Sequence, residues 1–160
     1  SIHRDAFLDY DFLRMLFWGA QVKSLYRGKK FHDWLKANLP VDDFTRLPKP
    51  LYATSVELNT GVTVVWGAPG FTDCPIHDAV YASCALPGAF PPKRIGDYYF
   101  IDGAMAESLP VSVAVAHRAD VIVAVHLQYL DYTMARPVQD EGVISILGRA
   151  NTIMGTPTRK

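Results

Sequence analysis

What this chain has little of narrows its chemistry first. It has no excess of charge: 16 basic and 16 acidic side chains cancel, and the sequence pI is near 6.9. A nucleic-acid binder needs a basic face to meet the phosphates, so no nucleic acid is expected as a partner. Cysteine is scarce: Cys74 and Cys84 stand alone, ten residues apart, without metal-ligand spacing. Two ordinary thiols in a reduced compartment are expected, with a lone disulfide as the alternative. No stretch reads as a membrane span. The uncharged run from Ala79 to Pro92 is too short for one and carries three prolines. A signal-peptide pattern and an initiator methionine are also missing. The expected setting is cytoplasmic, with a chain that begins partway through a larger one. Two small patterns are absent as well. No glycine is followed two residues later by serine, and neither Gly-Gly nor Gly-x-Gly occurs.

What is present is the composition of one globular domain. The chain has 160 residues, 49% of them apolar, long enough to bury about two-thirds of its unfolded surface. Apolar residues at Phe7, Leu8, Phe12, Met15, Leu16 and Trp18 predict a helix over 5–20. Core packing and a lipid-facing surface are both open for this greasy face. A second helix is predicted over Phe31 to Asn38, stopped by Pro40. Arg27-Gly28-Lys29-Lys30 before it reads as a solvated loop. Two strands, Leu51 to Leu58 and Val62 to Trp66, flank an Asn59-Thr60-Gly61 turn. Then follow a buried helix over Ile76 to Ala85, a strand over Tyr98 to Ile101, and a helix over Pro110 to His117 with proline in its first turn. Val121 to Leu127 reads as a central strand covered on both faces. A last amphipathic helix is expected over Ile144 to Met154. Strands alternating with helices imply an α/β layer fold. Residues 1–155 read as one domain and 156–160 as a tail.

The most informative segment is Tyr98-Tyr99-Phe100-Ile101-Asp102-Gly103-Ala104. A strand-like run ends in an aspartate followed by two small residues, which leave room for a partner group to approach the carboxylate. By itself such an aspartate reads as a turn cap. Its surroundings are more specific. Upstream stands Ala82-Ser83-Cys84-Ala85-Leu86-Pro87-Gly88-Ala89-Phe90-Pro91-Pro92, before it Glu57-Leu58-Asn59-Thr60-Gly61, and downstream Ser108-Leu109-Pro110. In this order, over roughly residues 25 to 155, they resemble the second half of the catalytic domain of patatin-like phospholipases. Ser108 departs from the asparagine usual in the last element.

The resemblance implies a partial three-layer α/β/α domain with a mostly parallel sheet and its N-terminal strands missing. It implies a lipid acyl hydrolase with a Ser–Asp dyad, acting on phospholipid or lysophospholipid, with no metal or organic cofactor. Asp102 would be the catalytic base, with Gly103 and Ala104 supporting its turn. The family's serine lies in G-x-S-x-G, a strand-to-helix elbow, and its oxyanion hole in a glycine-rich loop. Neither pattern occurs here. The expectation is therefore an Asp-bearing half, inactive alone and prone to associate, whose serine half lies in cis or on a separate chain. Peripheral contact with a membrane is expected of the whole enzyme. A non-catalytic interaction module that keeps the fold is the alternative.

Other candidate groups read as structural. Ser83 is expected to pack at a helix end, Ser55 lies in a strand, and Ser108 is expected to cap a helix. The five histidines, His3, His32, His77, His117 and His126, show no metal-binding pair at helical spacing. Asp73 and Asp78 read as loop and helix-start charges.

Overall fold

A computed structural model describes residues 24, 26–125 and 149. It divides into two units, Ser1–Ala106 and Glu107–Lys160. In the first unit, helix α1 (Lys29–Asn38) starts at Gly28, whose φ of 75° lies in the left-handed region. Glycine is needed there on two counts, since a Cβ would also collide with the Tyr81 hydroxyl. Lys29 and Lys30 thus belong to the helix, not to the loop expected before it. Phe31, Trp34 and Leu35 pack against Tyr81, Ala85 and Val80. A 3₁₀ turn (Phe44–Arg46) follows. The Asp43 carboxylate caps it by accepting from the Thr45 amide and hydroxyl, bonds that hold the Asp43 carboxyl below its usual range.

Strands β1 (Ala53–Glu57) and β2 (Thr63–Trp66) form the expected hairpin. Glu57 ties its turn: the carboxylate accepts from Thr60 Oγ1 and N and from Asn59 N and Nδ2, at 2.7 to 3.1 Å. Helix α2 (Ile76–Ser83) comes next, then β3 (Lys93–Ile95) and β4 (Tyr98–Asp102). The sheet order is β2-β1-β4-β3. Trp66 and Phe100 meet edge to face, with ring centroids 5.0 Å apart, and the indole N–H donates to the buried Ser55 hydroxyl at 2.8 Å. Phe44, Cys74, Ile76, Ala79 and Ala82 complete this core. Burial pushes the Cys74 thiol up to about 12, so it stays protonated.

Two features differ from the sequence-based expectation. Strand β3 was not expected, because Lys93-Arg94-Ile95 has a polar edge-strand composition. Its signal is the two-residue Gly96-Asp97 connection, with Gly96 at φ 60°. Secondly, every described strand pair is antiparallel, where a mostly parallel sheet was expected. Both hairpin links dictate this: tight turns reverse the chain, and only long crossovers permit parallel pairing. The crossover through α2 does not restore it, since β4 lies antiparallel to β1.

In the second unit, α3 (Val111–Ala116) matches the expected helix. Its first turn is tied by Glu107, which accepts from the Ser112 amide and hydroxyl. Ser108 is not the cap. Val121 to Val125 form no strand, and Val121, Val123 and Val125 are more than 70% exposed. An apolar run becomes a central strand only when others flank it, and no described residue of this unit pairs with it. The helix expected over 5–20 lies outside the described residues, as does that over 144–154 apart from Arg149, which is helical and exposed. Among the described residues, no helix is long and apolar enough to cross a membrane.

Candidate functional site

Asp102 closes β4, in register with Ser55 of β1. Its amide donates to the carbonyl of Ala85, just beyond the C-terminus of α2, at 3.1 Å. The strand end is thereby fixed to the helix end. The next residues, Gly103–Met105, turn into a 3₁₀ helix. Asp102 Oδ1 accepts from the Ala104 amide at 2.8 Å. Gly103 is buried because the chain passes directly over β1. A Cβ there would come within 2.3 Å of Thr54 Oγ1 and 2.5 Å of the Thr54 carbonyl oxygen, and backbone cannot yield. Asp102, Gly103 and Ala104 thus form one tightly packed turn.

The electrostatics of this turn are one-sided. Burial raises the Asp102 carboxyl above its ordinary value, and only the Ala104 amide pulls it back. The described residues supply no cationic partner. Cys84, at the end of α2, is raised by desolvation of its inner side and by the Asp102 charge, although its outer side meets solvent. It is a poor thiolate nucleophile. Ser83 is half-buried in the last residue of α2. Ser55 is fully buried against Trp66. Neither stands in an exposed elbow.

A second cluster lies at the other end of α2 and was not visible in the sequence. His77 and Asp78 occupy the first turn of α2, His32 comes from α1 and Lys93 from β3. Asp78 Oδ1 lies 2.6 Å from His32 Nε2, 2.5 Å from Lys93 Nζ and 3.3 Å from His77 Nε2. Asp42 grips His77 twice, accepting from its amide at 2.9 Å and lying 2.6 Å from Nδ1. Burial would raise the Asp78 carboxyl, but the Lys93 and His32 hydrogen bonds outweigh it and hold the group below its usual range. The reading of Asp78 as a helix-start charge is correct as far as it goes. Absence of a local histidine pair said nothing of a pair joined across 45 residues by two helices. The only local hint is the adjacency of His77 and Asp78.

Comparison with known proteins bears on the family. Uncharacterized NTE family proteins of Mycobacterium bovis (strain ATCC BAA-935 / AF2122/97) and of Mycobacterium tuberculosis strains CDC 1551 / Oshkosh and ATCC 25618 / H37Rv are each 26% identical to this chain over 137 residues. The alignment covers 86% of this chain but 37% of each relative, so the chain spans little more than a third of their length. The model of the family described as patatin-like phospholipase matches residues 3–115. That span begins earlier and ends sooner than the resemblance read from the motifs, yet it contains the Leu-Asn-Thr-Gly hairpin, the α2 helix with its proline-rich exit, and the Asp-Gly-Ala turn. With the match covering well over half of its residues, this chain belongs to the patatin-like phospholipase family.

Proposed function

We propose that the chain provides the general base of a lipid acyl hydrolase, with Asp102 as the aspartate of a Ser–Asp dyad. One observation carries this reading: a half-buried carboxylate, closely packed in its turn, with raised proton affinity and one oxygen uncommitted among the described residues. Among the described residues, only the Ala104 amide hydrogen-bonds the carboxylate, and it uses Oδ1. Oδ2 remains to accept a serine proton. An ordinary carboxylate is a weak base for a hydroxyl, and desolvation moves it in the needed direction. As the serine oxygen attacks the ester carbonyl, its proton passes to Asp102. Collapse of the tetrahedral intermediate breaks the ester bond, and the leaving alcohol takes that proton. Water, deprotonated in turn by Asp102, attacks the acyl-serine, and the serine oxygen leaves with that proton as the fatty acid is released. Phospholipid or lysophospholipid is the proposed substrate.

The nucleophile is proposed to come from a G-x-S-x-G segment outside these 160 residues, which leaves the chain inactive alone. Fluorophosphonate labelling of the chain, read by intact mass and peptide mapping, tests this. No adduct is expected on the chain by itself. With a serine-bearing segment of a relative supplied in cis or in trans, labelling of that serine and ester turnover are expected. Asp102→Asn should lower that turnover by about 10²- to 10⁴-fold, the usual contribution of a general base. An adduct on Ser83, Ser108 or another serine of this chain would overturn the division of the dyad. Unchanged turnover in Asp102→Asn would remove Asp102 from the chemistry.

A further inference from the structure

We propose that His32, His77 and Asp78 form a site for one divalent transition-metal ion, of which Zn²⁺ is the best fit, and that the Lys93 ammonium competes with the ion for it. The donor atoms of the three residues all lie within 4.8 Å of one another. Tetrahedral zinc with bonds of about 2.0–2.1 Å sets neighbouring ligand atoms roughly 3.3 Å apart. His77 Nε2 and Asp78 Oδ1 already stand at 3.3 Å. His32 Nε2, at 2.6 Å from the same oxygen, needs to withdraw by roughly 0.7 Å to reach that spacing.

The outer groups are arranged as a metal site requires. Asp42 Oδ2 lies 2.6 Å from His77 Nδ1; a carboxylate can only accept, so Nδ1–H donates to it and the Nε2 lone pair is left turned toward the cluster. This carboxylate–histidine pairing fixes the tautomer and increases ligand basicity. The Lys93 contacts support the same reading. Its Nζ lies 2.5 Å from Asp78 Oδ1 and 3.0 Å from His32 Nε2. The carboxylate oxygen accepts from this cation, and the His32 nitrogen, once its proton is released from Asp78, faces the same position. An ammonium on a flexible four-carbon stem from a three-residue strand can be displaced. Solvent has a route in, because Asp78 also lines an open cavity of about 390 Å³ with Trp66, Asp73 and Arg94. Two imidazoles and one carboxylate select Zn²⁺ or Co²⁺ over the oxygen-seeking Ca²⁺ and Mg²⁺.

The ion would clamp α1 to α2. Asp78 and Ala85, which anchors the Asp102 amide, are seven residues apart, roughly 10 Å along a helix axis. The clamp is therefore structural or regulatory and makes no contact with the ester chemistry.

Titration of Co²⁺ into the tag-free 160-residue chain at pH 7.5, followed by visible absorption and Zn²⁺ competition, tests the proposal, with circular dichroism confirming the fold of each variant. Tetrahedral Co²⁺ bands displaced by one equivalent of Zn²⁺ are expected. Lys93→Met should tighten binding about tenfold or more by removing the competing cation, and His32→Gln should weaken it at least tenfold, in line with loss of a ligand. Because its ligands bind deprotonated, affinity should rise with pH. Absence of bands in both the wild-type chain and folded Lys93→Met, or equal affinity in folded His32→Gln, would overturn the site.

Discussion

Asp78 and Asp102 are both half-buried aspartates attached to α2, one through its first turn and one through the carbonyl beyond its last. The protein treats their protons in opposite ways. Burial pushes both carboxyls up. At Asp78 an ammonium and an imidazole reverse the effect; at Asp102 a single amide only reduces it. A buried carboxylate becomes a base or an anchor according to the partners converging on it, not according to its depth. Raised proton affinity is what the proposed role of Asp102 as a base requires, while the tighter cluster at Asp78 holds helices and strand together.

Substitutions at three positions would break or sharpen this contrast. The largest effect is expected at the turn that mounts Asp102. Gly103→Val forces side-chain atoms into the Thr54 backbone and should destabilise the fold by about 3 kcal/mol or more, measured by urea unfolding. Wild-type stability in that variant would mean that close packing on β1 does not position Asp102.

Asp78→Ala comes next. It strands Lys93 and His32 together, and because both are partly solvated the expected loss is about 1–2 kcal/mol, below that of a fully buried pair. The pH dependence has a definite sign. A carboxyl held below its unfolded value contributes stability above that value, about 3.9, and loses it as pH falls through the folded pKa. Wild-type unfolding free energy should therefore fall in that acid range, and Asp78→Asn should flatten the slope.

The smallest effect is of opposite sign. A carboxyl raised by folding contributes most below its unfolded pKa, and that contribution is lost as pH rises through the folded one. At pH 7 the Asp102 charge is therefore a burden. Asp102→Asn keeps an acceptor for the Ala104 amide and should raise Tm by up to about 3 °C at neutral pH. The gain should vanish in acid, where Asp102 is itself protonated. A lower Tm at pH 7 would mean that Asp102 has a stabilising partner beyond those the described residues supply.

Local elements were largely legible before any coordinates. The α1 and α2 periodicities, the Asn-Thr-Gly hairpin and the Asp-Gly-Ala turn are short-range patterns, and each is found within a few residues of its expected place. The run from Val121 was misread for a non-local reason. An apolar stretch of that length states that it should be covered, but only neighbouring strands can make it a strand. Strand direction differs from what the resemblance implied for a related reason: the two hairpins reverse the chain locally, but that β4 lies antiparallel beside β1 is decided by packing of distant segments.

By itself, the sequence determined the family and the composition of the Asp102 turn, because ordered motifs and steric demands such as that at Gly103 are written in consecutive residues. Only the tertiary structure decided the antiparallel sheet and the meeting of His32, His77, Asp78 and Lys93. Those depend on which distant segments pack together, and hydrophobic burial drives that packing without recording in any one segment which polar groups will be brought face to face.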